Sequence, residues 1–275
     1  MTKIEDLKGC FYPLSPKGIS CLVGNLPWYY GTEYTNILFR ADPAEVAKYL
    51  PEPLEPSPDP GLCYMAYSKW TSLSAGQKDM AEINPERTQY KEAAIWTGCS
   101  YKGVAGQICL HIWVDKDFSM ARGWFMGFPK KLGQIEITEH QPRNPQMSPL
   151  GIGSILKGYA TANGERLIEG SLEIEEAVRR EDLPYPFGSP LFHIRYFPSI
   201  ERDAPPSVLE LVELGAEDVN YGKEIWKGKG SLKFFPSDIE DYAGLGPLEI
   251  LGAYHYTSGY TFPGGKVLHN WVSPL

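Results

Sequence analysis

Gly127-Phe128-Pro129-Lys130-Lys131-Leu132-Gly133 sets two lysines side by side, behind an apolar run that holds Trp124, Phe125 and Met126. Lysine is strongly hydrated and rarely buried without a partner, so a pair in aromatic company has two readings. In one, both are basic residues at an exposed turn. In the other, one is a nucleophile whose ammonium form is disfavoured by apolar surroundings and a cationic neighbour. Directly afterwards, residues 134–139 alternate apolar and polar side chains, which predicts a half-buried strand.

Outward from this stretch the pattern is one of strands and turns. Strands are predicted over residues 35–41, 62–70, 94–101 and 106–115. The first sets Ile37 and Phe39 opposite Asn36 and Leu38, and the last alternates Ile108, Leu110, Ile112 and Val114. Asn163-Gly164 predicts a tight hairpin between residues 154–162 and 165–174. The β-rich pattern continues through 191–196, 208–220, 223–235 and 248–262. Asp42-Pro43 followed by Glu45 predicts a short capped helix, ended by Pro51; further helices are expected near 174–181 and 236–243. Residues 1–28 read as an extended lead-in, residues 51–61 as a proline-rich loop, and residues 72–86 as a polar loop able to border a pocket. No repeat or linker divides the chain, so residues 1–275 read as a single domain, a barrel or sandwich with a few peripheral helices.

Composition narrows the function. A net charge of -8 argues against nucleic-acid and anionic-membrane partners, which both need basic patches. The N-terminal residues carry no apolar signal core and no apolar run is long enough to span a bilayer, so a cytoplasmic protein is expected. Five cysteines and five histidines are scattered without metal-ligand spacing, which points to reduced thiols and no metal site. Asp115-Lys116-Asp117 is read as a turn between strands, and Gly151-Ile152-Gly153 and Gly244-Leu245-Gly246 as turns rather than phosphate loops.

The lysine stretch resembles the active-site signature of the acetoacetate decarboxylase family. Glu33-Tyr34-Thr35-Asn36-Ile37-Leu38-Phe39-Arg40, Leu50-Pro51-Glu52-Pro53-Leu54-Glu55 and Glu224-Ile225-Trp226-Lys227-Gly228 are similar to further family stretches, and the likeness runs from about 29 to 271. The resemblance implies an α+β fold, mainly antiparallel, forming a cone-like closed β-barrel, and a homo-oligomer. It also implies a cofactor-independent lyase that binds a small keto acid, with Lys130 as the Schiff-base lysine, Lys131 as its companion and Glu92 as the acid/base. Phe128 would border the substrate.

A lysine that attacks carbonyls near pH 7 must lose its proton, whereas an unperturbed one has a pKa of about 10.4. Neighbours on a strand point to opposite faces, so desolvation by Phe125, Met126 and Phe128 is expected to outweigh the charge of Lys131. The alternative for Glu92 is a solvated carboxylate paired with Lys91.

The chain departs from the family pattern in three places. Gly31-Thr32-Glu33-Tyr34 has Thr32 where the resemblance implies an arginine, and Tyr64 stands in place of a second pocket glutamate. Ala121-Arg122-Gly123-Trp124 keeps the arginine of a Gly-Arg-Glu triplet and loses its acid. Thr32 and Tyr64 are expected either to touch substrate or to be ordinary strand residues. These departures favour retained imine chemistry in an altered pocket. A decarboxylase of a β-keto acid leads; the alternatives are an aldolase/dehydratase acting on pyruvate plus an aldehyde, and a non-catalytic keto-acid binding protein.

Overall fold

A computed structural model describes residues 3–184 and 189–272. Its strands are β1 (Trp28–Arg40), β2 (Glu55–Pro56), β3 (Leu62–Ser74), β4 (Gln89–Tyr101), β5 (Val104–Val114), β6 (Lys130–Leu132) and β7 (Gln134–Ile137). They continue with β8 (Ile155–Ala162), β9 (Glu165–Val178), β10 (Leu191–Phe197), β11 (Val208–Leu214), β12 (Glu217–Phe234), β13 (Glu249–Phe262) and β14 (Gly265–Asn270). Three α-helices accompany them: α1 (Pro43–Ala47), α2 (Met80–Ile83) and α3 (Asp117–Met126). The fold is thus α+β with a mostly antiparallel sheet, as expected.

One ladder runs β14-β11-β10-β5-β4-β3-β1-β13-β12-β9-β8-β7, with β2 added to β4 and β6 to β5. Only the β5–β10 and β5–β6 pairings are parallel among those described. The expected closed barrel is not what this ladder forms. Its end strands, β7 and β14, are not paired with each other among the described residues, and β7 lies against β4 and β5 instead.

Because the sheet folds back on itself, its central strands bury both faces. Hence Leu62 through Tyr67 is buried without a break, which is the pattern of a strand covered on two sides. Ile37, Phe39, Met65, Tyr67 and Ile95 pack with Ile135, Leu156, Leu167 and Leu172 from β7–β9. Tyr64, Trp70, Tyr90 and Trp96 face the other way, toward Phe118, Ala121 and Met126 of α3. The split of Ile37 and Phe39 from Leu38 follows the predicted alternation.

In β5 that alternation breaks. Ile95 faces His111 while Trp96 faces Cys109, so Leu110 is an extra residue in the strand. This bulge keeps Ile108 and Leu110 on one face and turns Ile112 and Val114 to the other, correcting the single face expected for all four.

Other expectations fare variously. Asn163 and Gly164 both adopt positive φ in the β8–β9 hairpin, and Asp42 caps α1 through Ala44 N–H at 2.8 Å. Residues 174–178 extend β9 rather than forming a helix, and only a short 3-10 turn follows, over Arg180–Asp182. Residues 236–243 are irregular up to a 3-10 turn at Ala243–Leu245. Asp115-Lys116-Asp117 joins a strand to a helix, not to another strand. Residues 3–27 of the lead-in are irregular apart from a 3-10 turn and an antiparallel bridge between Lys8 and Ser15, and its residues 1 and 2 lie outside the described residues.

Gly158 of β8 marks a close approach of the two layers: a Cβ there would sit 2.4 Å from the Tyr67 ring. Gly158→Ala should therefore overpack the core and destabilise the fold by about 1–3 kcal/mol. Urea unfolding would show a lower midpoint with an unchanged slope.

Candidate active site

The lysine pair is delivered by a tight connection. α3 ends at Gly127, whose φ of +91° suits glycine and closes the helix through a bond from its N–H to the Trp124 carbonyl. Phe128 N–H then reaches back to the Gly123 carbonyl at 2.9 Å, and after Pro129 the chain enters β6 beside β5. Lys130 aligns with Ile112 and Lys131 with Trp113. The bulge in β5 thus decides which lysine looks inward.

Lys130 does. It is 5% exposed, and its Nζ donates to Glu92 Oε2 at 2.9 Å and to Ser119 Oγ at 3.1 Å. The same Nζ lies 5.1 Å from the Tyr90 ring centre and 5.5 Å from that of Phe128. Glu92 is equally buried, and Lys91 pairs with Glu136 at 3.2 Å, so the reading of Glu92 as a solvated partner of Lys91 falls away. Lys131 points to the opposite side, half exposed, and forms an ion pair with the buried Glu240, which also accepts the Trp113 indole N–H at 3.0 Å. The structure therefore brings Lys130, Glu92 and Phe128 together and leaves Lys131 outside.

The pair sits in a cavity of about 570 Å³. Its walls include Tyr34, Tyr64, Trp70, Tyr90, Trp96 and Tyr260. Tyr64 lines it, and its phenol donates to the side-chain oxygen Oε1 of Gln107. Burial pushes that phenol well above its ordinary range, with smaller contributions from Tyr256, Cys109 and Glu92, so it stays a neutral donor. Thr32 is different. It is buried but does not line this cavity; it borders a shallower cleft with Glu33, Lys69 and Lys116. Trp70 stands opposite it in the ladder, edge-on to both Tyr30 and Tyr34.

Four further residues shape the surroundings of the site. Ser119 and Gly123 lie one helical turn apart on α3, and a Cβ at Gly123 would come within 2.3 Å of the Lys130 stem. Arg122 is buried and donates to Ser72 and Ser74, under the Trp28 ring at 4.5 Å. It borders a smaller cavity of about 240 Å³ beside residues 72–88 rather than the main one. His193 is fully buried against Phe128, at 4.0 Å between ring centres, and among the described residues neither ring nitrogen has a hydrogen-bond partner. Among the described residues no cluster of three His, Cys, Asp or Glu side chains is placed to hold a metal, and no helix is long and apolar enough to cross a membrane.

Comparison with known proteins fits this geometry. The family model for acetoacetate decarboxylase matches residues 11–272. The chain belongs to the acetoacetate decarboxylase family. Among curated family members, the acetoacetate decarboxylase of Chromobacterium violaceum is 27% identical over 248 residues, covering 89% of each chain. Among solved structures, the enduracididine biosynthesis enzyme MppR, complexed with the condensation product of pyruvate and imidazole 4-carboxaldehyde, is 30% identical with a TM-score of 0.87. That match covers 95% of this chain and 97% of the other. An acetoacetate decarboxylase-like enzyme from Sphingomonas wittichii RW1 is 28% identical with a TM-score of 0.88, over 96% of this chain and all of its own.

His193 predicts a pH signature. Burial, aided by the Lys130 charge, lowers its pKa from 6.5 to about 3. Below pH 6.5 the unfolded imidazole binds a proton that the folded one refuses, so stability falls between about pH 6.5 and 3 and is unaffected by this group above that window. Urea unfolding between pH 4 and 6 should be flatter in His193→Leu, by up to about 1.4 kcal/mol per pH unit.

Proposed function

We propose that the chain, as one acetoacetate decarboxylase-like domain, is a lyase that forms a Schiff base between Lys130 and a β-keto acid or related keto acid. The observation that carries this reading is the Lys130 amine, buried in an aromatic cavity and held by a single carboxylate, Glu92, at 2.9 Å. Only the neutral amine attacks a carbonyl, and Glu92 is placed to take the ammonium proton. The same proton then assists departure of water from the carbinolamine and leaves an iminium ion. When the adjacent carbon–carbon bond breaks, carbon dioxide departs and its electron pair enters the iminium to give an enamine. Protonation of the enamine at carbon and hydrolysis of the resulting imine return the ketone and free Lys130.

A second reading rests on the likeness to MppR, whose solved complexes hold pyruvate and a pyruvate–aldehyde condensation product. Here the pyruvate iminium loses a methyl proton to Glu92, and the enamine attacks an aldehyde. The Tyr64 phenol, held neutral, lines the cavity and would donate to the new alkoxide by turning its proton away from Gln107 Oε1. The readings part on products: carbon dioxide from a β-keto acid, or an unsaturated keto acid from pyruvate and an aldehyde.

Borohydride reduction in the presence of acetoacetate, and separately of pyruvate, followed by peptide mapping, should place an adduct on Lys130. Adducts confined to other lysines would remove the reading. Glu92→Gln should lower kcat/KM by about 10²–10⁴. Lys131→Met should change it by less than about tenfold and chiefly lower stability, since Glu240 is left buried without its partner.

Gly123→Ala tests the positioning of the amine. The added methyl displaces the Lys130 stem, so the trapping rate should drop by about 10²-fold while the circular dichroism spectrum stays unchanged.

A further inference from the structure

Lys130 is buried with a carboxylate beside it; Arg122 is buried without one. It is 5% exposed, yet among the described residues it forms no ion pair with an Asp or Glu side chain. Its guanidinium donates to the hydroxyls of Ser72 and Ser74, the latter at 3.0 Å, and lies 4.5 Å from the Trp28 ring centre. Nε has no acceptor among the described residues. Hydroxyls and a ring face orient toward a cation but carry no countercharge, and a buried ion without one is costly.

The guanidinium borders the cavity of about 240 Å³ between the lead-in and residues 72–88. Ser72, Ser74 and Thr88 are buried at its floor, whereas Ile83 and Asn84 are exposed at its mouth. Arg87 lines it too, half-buried, and donates through Nη2 to the Cys21 carbonyl at 3.0 Å. No Asp or Glu is among its described lining residues. Two guanidiniums thus meet at one cavity that has no acid, in a chain of net charge -8. Leu22, Leu73 and Met80 supply apolar wall, and none of the described residues around this cavity also lines the main one.

We propose that this cavity binds a small organic carboxylate, with its oxygens on Arg122 and a short apolar body against Leu22, Leu73 and Met80. A guanidinium is a planar fork that takes a carboxylate edge-on through two parallel N–H bonds. Nε supplies a free donor to that edge, and the Ser74 hydroxyl, which accepts from Arg122, keeps its own proton to donate. The apolar wall favours an anion with a carbon tail over inorganic phosphate, which is strongly hydrated and has no carbon to bury. The site stands apart from the imine reading, because no step of that chemistry touches Arg122.

Thermal unfolding of the intact protein reads the binding, with butanoate as a probe that has no carbonyl for an imine. Sodium butanoate at about 10 mM should raise the midpoint by about 2–4 °C over the same concentration of sodium chloride. No rise overturns the proposal. An equal or larger rise with inorganic phosphate overturns the carboxylate class. Arg122→Met should lose the rise; since butanoate seated in the main cavity would survive that change, a rise that persists overturns the site. Where Arg122→Met fails to fold, Met80→Trp fills the cavity from its apolar side and should lose the rise as well, and persistence there overturns the site equally. Arg122→Lys keeps the charge and gives up the fork, so butanoate should bind about tenfold more weakly in calorimetric titration. Unchanged affinity in that variant overturns edge-on binding. Trapping on Lys130 can succeed or fail without altering any of these outcomes.

Discussion

The buried contact between Lys130 and Glu92 is the constraint to which the surrounding structure answers. Taking an ammonium and a carboxylate out of water costs several kcal/mol per ion, and their attraction compensates only in good geometry with further hydrogen bonds. Here the further bond comes from Ser119, and the remaining surroundings are the faces of Tyr90 and Phe128. A pair of this kind is a weak source of stability. What it does supply is a buried amine held against one carboxylate, the arrangement on which the proposed chemistry rests. The closely packed strands on either side are what bear its cost.

Geometry of the strands, more than composition, separates the two lysines. A three-residue strand alternates its side chains, so one neighbour must look in and the other out. Which one looks in is set upstream, by the extra residue Leu110 in β5. Were that residue absent, Trp113 would share the cavity face, and its partner in the ladder is Lys131. Glu240 then closes the arrangement from the other side by holding Lys131 in an ion pair beneath the sheet. Lys131 is thereby a neighbour in sequence whose charge is answered elsewhere.

The sequence made much of this legible. Strand period showed where the central elements lie, the motif around Lys130 pointed to the amine, and the family resemblance at Tyr90-Lys91-Glu92 pointed to Glu92. Less was legible where the third dimension intervenes. α3 went unpredicted because its buried face carries Ser119, Arg122 and Gly123, a mixture that no apolar helical period marks. Its glycine is there for the close passage of Lys130, which only the fold reveals. Thr32 stands where the resemblance implies a pocket arginine, with an ordinary strand residue as the alternative; in the fold Trp70 lies across from it and Tyr30 and Tyr34 take the cavity wall. The bulge in β5 lay hidden inside a regular apolar alternation.

The replacement of charge by aromatic surface bears on both proposed reactions in the same direction. A carboxylate seated among aromatic rings is poorly solvated, and it sheds that charge as it leaves as carbon dioxide, so the aromatic part of the lining does not oppose decarboxylation. Carbon–carbon bond formation places its demand elsewhere: an alkoxide develops where the aldehyde oxygen was, and it needs a donor rather than a counter-ion. Tyr64, kept protonated by burial, becomes a donor of that kind only by turning its proton from Gln107 Oε1, whereas a glutamate at the same place would be an acceptor and would oppose the new charge. The exchange of an acid for a phenol is thus neutral toward one reaction and favourable to the other. It is the clearest chemical difference that this chain builds around its lysine.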